Sequence, residues 1–255
     1  MRSHRILLVA LALVARFSAA ALAEDFRIET KIFSGKEKTA SSQNLTLFSA
    51  GYVYDYLSDP KRVAVFDRAH GRFILLDPAH KLKTEIKTED VVVFSEKFHA
   101  WAAKSSNPFM KFAADPEFEV EFNDDGKLTL TSPHLVYRLE TVPAQKPETA
   151  EQYREFCDWY ARFNAMLNLG STPPFPRLEV NKELFKRSLV PTEVTLTIPS
   201  QATSGVRAVT LRAEHHFNWR LLHSDQEKIS ETANQLATFK TVDLAEFEPS
   251  LVSKR

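Results

Sequence analysis

Apolar and polar positions alternate with period two over much of this chain. Phe26, Ile28 and Thr30 alternate with Arg27, Glu29 and Lys31, which predicts a half-buried strand. Asn44 to Ser49, Tyr52 to Leu57, Arg62 to Asp67, Arg72 to Asp77 and Leu82 to Ile86 predict five more. The links at Ala50-Gly51, at 68–71 and at 78–81 are hairpin-length and carry turn residues, so these strands should be antiparallel neighbours. Tyr52, Tyr54 and Tyr56 share one face of their strand, while Val53 and Leu57 share the other. A strand apolar or aromatic on both faces is central in two layers or covered by a helix.

The period then changes. Glu89 to Lys104 has helical spacing with Thr88 as an N-cap, before strands resume with Phe118, Val120 and Phe122 alternating against Glu117, Glu119 and Glu121. Asn123-Asp124-Asp125-Gly126 predicts a hairpin into Leu128 and Leu130, and Leu135, Tyr137 and Leu139 continue the sheet. Thr149 to Asn168 predicts a second helix, with Tyr153, Phe156, Cys157, Tyr160, Phe163 and Leu167 on one stripe. Pro173, Pro174 and Pro176 then make 171–176 a stiff loop. Val194, Leu196 and Ile198 alternate as a strand, and Val206 to Leu222 alternate for so long that the strand must coil or bend. Ser224-Asp225 introduce a helix to Phe239, and Val242 to Phe247 read as a terminal strand. The order predicts an α+β fold: a curved, half-barrel-like antiparallel sheet with helices packed on the concave side.

Arg2 and Arg5, an apolar run from Ile6 to Val14 and the small residues to Ala21-Leu22-Ala23 have the order of a secretory signal peptide. The run is shorter than the roughly 20 residues a spanning helix needs. The expectation is cleavage after Ala23, a single exported domain over 24–255, and a periplasmic or secreted location with no stable membrane span. Charge is balanced, with 33 basic and 33 acidic residues, and three of the basic ones fall within the leader. This gives no electrostatic footprint for nucleic acid. Cys157 is the only cysteine, so no internal disulfide can form, and packing is its expected role.

The histidines offer the chief candidates for chemistry. Asp67-Arg68-Ala69-His70 and Asp77-Pro78-Ala79-His80 look like paired D-x-x-H ligands. At about 3.3 Å per residue, the strand between them holds them too far apart for one metal, so both read as Asp-stabilised turns. His215 and His216 are adjacent in a strand and point to opposite faces. His215, on the apolar parity, is expected in the core or as a polar contact in a ligand cavity. No G-x-S-x-G elbow, phosphate-cradling loop or dinucleotide fingerprint occurs, and the chain has only six glycines. Glu117, Glu119 and Glu121 read as a wet strand face rather than opposed carboxylates. Neither a cofactor, a metal nor a catalytic set is expected, and the chain reads as a non-enzyme.

Tyr54-Asp55-Tyr56, Arg62 to Asp67, Arg72-Phe73-Ile74-Leu75-Leu76-Asp77-Pro78 and Lys81-Leu82-Lys83-Thr84-Glu85-Ile86 resemble the meander of the bacterial outer-membrane lipoprotein carriers and their LolA-like relatives. The resemblance is best over residues 45–95, with the long strand 206–222 in support. It implies an exported half-barrel closed by helices around an acyl-binding cavity, and it assigns no residue individually. On that architecture the expected ligand contacts are His215, Phe217, Trp219, Tyr54 and Phe175, with loop 171–176 as rim or lid. The expected partner is a lipid or lipoprotein acyl chain. The alternative is an envelope scaffold or interaction module, with a filled core and a protein partner.

Overall fold

The computed structural model describes residues 25–168, 170–200 and 208–247. The expected leader and the first residues of the expected 206–222 strand lie outside them. The chain runs through β1 (Phe26–Ser34), β2 (Ser42–Ser49), β3 (Tyr52–Ser58), β4 (Lys61–Asp67), β5 (Arg72–Asp77) and β6 (Leu82–Lys87). Helices α1 (Thr88–Ala103) and α2 (Pro108–Ala114) follow, then β7 (Glu119–Phe122), β8 (Lys127–Thr131) and β9 (Val136–Pro143). Next come α3 (Pro147–Leu167), α4 (Phe175–Lys186), β10 (Leu189–Ile198) and β11 (Val209–Asn218). The described chain closes with α5 (His223–Thr238), β12 (Lys240–Thr241) and α6 (Leu244–Phe247).

All these strands join one sheet in the order β12-β6-β5-β4-β3-β2-β1-β11-β10-β9-β8-β7. Every pairing is antiparallel except the short β12–β6 contact. β1 pairs with β2 on one side and β11 on the other, so the first strand joins the N-terminal meander to the C-terminal half. Phe73 and Ile86 near one end share a buried cluster with Leu128, Leu130 and Tyr137 near the other, and with Phe156 and Phe163 of α3. One contiguous core can touch both ends because the sheet is curved, so the fold is α+β and half-barrel-like.

The opposite face of β2–β5 carries a second cluster of Leu47, Tyr54, Val63, Val65, Ile74 and Leu76. Ile229 and Leu236 of α5 cover it, which explains the two-faced aromatic strand predicted from Tyr52, Tyr54 and Tyr56. The expectation of helices on the concave side alone is corrected: α1–α4 lie on that side, but α5 covers the convex one, because the meander's second apolar face also needs a cover.

Three local expectations change. The stiff stretch 171–176 runs into a helix, α4, because proline is tolerated in a first turn where the N–H has no intrahelical partner. The expected 242–247 strand does not form: the short β12 ends at Thr241, just before it, and Asp243 Oδ1 accepts the Glu246 N–H at 2.7 Å to start α6 over Leu244–Phe247. β7 is exposed on both faces as a sheet edge, and Arg187 lies over the Phe122 ring at 5.5 Å.

The hairpin between β7 and β8 forms as its composition predicts. Asn123 Oδ1 accepts the Lys127 N–H at 2.9 Å, and Gly126 sits at φ +77°. A Cβ on Gly126 would lie 2.7 Å from the Thr141 carbonyl oxygen, so both the turn and the neighbouring strand require glycine there.

Candidate functional site

The filled core is interrupted between the middle of the sheet and α3. A cavity of about 490 Å³ opens there, within the usual range of roughly 300–1,000 Å³ for small-molecule sites. Its wall is built from cross-strand rows. Leu57, Asn44, Thr30 and His215 lie side by side across β3, β2, β1 and β11. The next row in one direction holds Asp55, Thr46 and Ile28. In the other direction come Ser42, Ile32, Ala213 and Val194, then Leu211, Leu196 and Tyr137. Tyr153, Phe156, Cys157, Tyr160, Ala161 and Asn164 of α3 form the roof, and Arg177 enters from the first turn of α4.

Alternation explains the mixed wall. The same parity that buries Phe26, Ile28 and Phe48 places Thr30, Asn44 and Thr46 toward the hollow, where polar groups need partners. Asp55 receives three donors: Asn44 Nδ2 at 2.6 Å, Thr46 Oγ1 at 2.8 Å and Tyr160 Oη at 2.9 Å. Burial nonetheless pushes its carboxyl above the ordinary carboxylate value, against the pull of those donors. Burial also drives the Tyr160 phenol well above its usual range, with Asp55 adding to the shift.

His215 Nδ1 lies 2.9 Å from Thr30 Oγ1. Burial, with Arg177 nearby, lowers its pKa to about 3, so the imidazole is neutral at neutral pH. It is enclosed by protein yet keeps some accessible surface, because that surface is cavity wall. Arg177 has the same character. Its Nε donates to Asn181 Oδ1 at 3.0 Å, and its Nη2 makes a long contact of 3.5 Å with Tyr153 Oη. Burial opposes its charge, yet its pKa stays above the ordinary arginine value because Tyr153, Cys157 and Tyr137 would themselves ionise before it, so the guanidinium is charged at neutral pH. Burial pushes the Cys157 thiol up and Tyr137 up to about 12. These neighbours are therefore uncharged at neutral pH.

The expected contacts separate. His215 lines the cavity. Phe217 and Trp219 stack on each other at 5.2 Å and pack on Tyr153 and Phe26, beside the cavity rather than on its wall. Tyr54 lies on the convex face, in the cluster beneath α5. Phe175 turns outward to His99 and Phe98 of α1, with ring centroids 5.3 and 6.3 Å away. The sequence places Tyr160 only on an apolar stripe and Asp55 only within the meander, and gives Arg177 no role. A single arginine just after a proline run reads as loop surface, and only the helix that those prolines open turns it inward.

A larger hollow of about 680 Å³ lies on the outside between α1 and α3. Part of its charged lining is answered within the groove, as in Arg154 Nε to Asp158 Oδ2 at 3.4 Å and Arg162 to the Asp158 carbonyl at 2.9 Å. The smaller internal cavity is the better site. The D-x-x-H segments are turns: Asp67 accepts the His70 N–H at 3.3 Å, and Asp77 accepts those of Ala79 and His80 at 3.0 and 3.2 Å. Among the described residues no cluster of three metal-ligating side chains occurs, and no helix is long and apolar enough to cross a membrane.

No family model matches the chain, and no curated protein matches it. Among solved structures it is similar to a LolA superfamily protein from Nitrosomonas europaea. The likeness covers 80% of this chain and 89% of that one, at 8% identity and a TM-score of 0.29. So loose a superposition transfers neither residues nor an activity, and the functional reading below rests on the chain's own cavity.

Proposed function

We propose that this protein binds one hydrophobic ligand, a lipid or acyl chain, in the half-barrel cavity and performs no chemistry on it. The observation that carries the reading is the unfilled space itself. Protein interiors pack to the density of organic crystals, with few voids larger than a water molecule. A 490 Å³ hollow walled largely by Ile, Leu, Val, Ala and aromatic side chains is a cost unless something occupies it. The polar groups on its wall are mostly engaged with one another, Thr30 with His215 and Asp55 with Asn44, Thr46 and Tyr160. Export to the periplasm or beyond, with cleavage after Ala23, belongs to the same proposal and places a carrier where lipids must cross an aqueous space.

The alternative, an envelope scaffold with a filled core, predicts no cavity and is less favoured for that reason. Native mass spectrometry of protein purified without detergent from its own compartment tests the choice. A lipid of defined mass that leaves on organic extraction is the expected result. Protein that carries no lipid and takes none up when offered it would contradict the carrier reading.

A further inference from the structure

Arg177 is a cation buried without an anion. Among the described residues no carboxylate pairs with it: its contacts are the Asn181 amide oxygen, the Tyr153 hydroxyl and the Cys157 thiol. Asp158 is one step removed, accepting from Asn181 Nδ2 at 2.8 Å. The other charged groups on the cavity wall are answered locally. Arg212 pairs with Glu193 and Glu214, and Asp55 has its three donors. Measured along the sheet, Asp55 on β3 is also three strands from His215 on β11. Arg177 stands in the first turn of α4, where the helix dipole already favours negative charge and disfavours a cation. A guanidinium carries five N–H donors. Its protein partners leave some of them to the cavity.

From this arrangement we propose that the ligand is an anionic amphiphile whose oxyanion head pairs with the Arg177 fork, while its tail lies along Ile32, Ala213, Val194, Leu196 and Leu211. The inference rests on the cavity reading above and adds the chemical class of the ligand. Neutral His215 and the Tyr153 hydroxyl flank the head site as polar groups that do not compete for the charge. A carboxylate or a phosphate monoester would satisfy the fork. A cationic or purely hydrocarbon ligand would leave Arg177 unpaired.

The test is a calorimetric titration of the delipidated protein with palmitate, hexadecanol and lysophosphatidate, repeated on Arg177→Met and Arg177→Lys. Palmitate is expected to bind the native chain roughly tenfold to a hundredfold more tightly than hexadecanol, as charged hydrogen bonds require. Arg177→Met should erase that preference by weakening palmitate and not hexadecanol, and Arg177→Lys should keep part of it. Lysophosphatidate binding with the same dependence on Arg177, where palmitate fails, would support the anionic head and identify it as a phosphate. Equal binding of palmitate and hexadecanol by the native chain would overturn the head-group inference and leave the cavity reading standing. If none of the three binds, both fall. The native-chain comparison decides the matter even if Arg177→Met does not fold.

Discussion

His215 links the site to acidity. Its folded pKa, near 3, lies below the ordinary histidine value of 6.5, so the native state prefers the neutral ring. The stability this contributes is present above about pH 6.5 and is lost as the pH falls toward 3, by up to about 1.4 kcal/mol per pH unit for one proton taken up on unfolding. Urea titrations at pH 7 and pH 5 should show a fall in stability that is smaller in His215→Asn; equal slopes in the two proteins would remove His215 as the cause. A second residue test concerns the Asp55 cluster. Tyr160→Phe deletes one of its three donors and should cost about 1–3 kcal/mol, read from the urea midpoint. At this scale the sequence was half legible. Parity alone brought His215 to the wall, because a strand has two faces. Asp55 and Arg177 needed register and helix direction, which join residues far apart in the chain.

Among the described helices, α5 packs on the convex face, against the cluster on β2–β5. It is pinned by Asp225, which accepts the Leu222 N–H at 2.8 Å and pairs with Arg27 Nη1 at 3.3 Å. Asp225 is 1% exposed and Arg27 8%, so removing one partner strands a buried charge. Arg27→Met should cost about 3–5 kcal/mol. Hydrogen exchange should show α5 released first; uniform loss of protection over the whole sheet would argue that the pair does not hold this helix in particular. Gly126→Ala, forced against the Thr141 carbonyl, should destabilise the β7–β8 hairpin by at least about 1 kcal/mol. The strands and the long helices were legible because period two and a regular apolar stripe survive in a single sequence. The convex position of α5 was not. Its apolar residues Ile229 and Leu236 show that it packs, and only the meander's second apolar face shows where.

The whole molecule is a curved sheet whose two ends meet one core, with a hollow left beneath α3. A half-barrel was the expectation from the meander and its resemblance; a cavity could not be read from sequence, since volume depends on how closely α3 approaches the sheet. The central claim is that this hollow takes a hydrophobic ligand. Its most direct test is the fluorescence of the apolar probe N-phenyl-1-naphthylamine titrated with the native protein and with Ala213→Phe, which places a ring in the middle of the cavity wall. Saturable binding at one site per native chain is expected, and its loss in a folded Ala213→Phe protein. Non-saturable binding, or equal binding by both proteins, would contradict it.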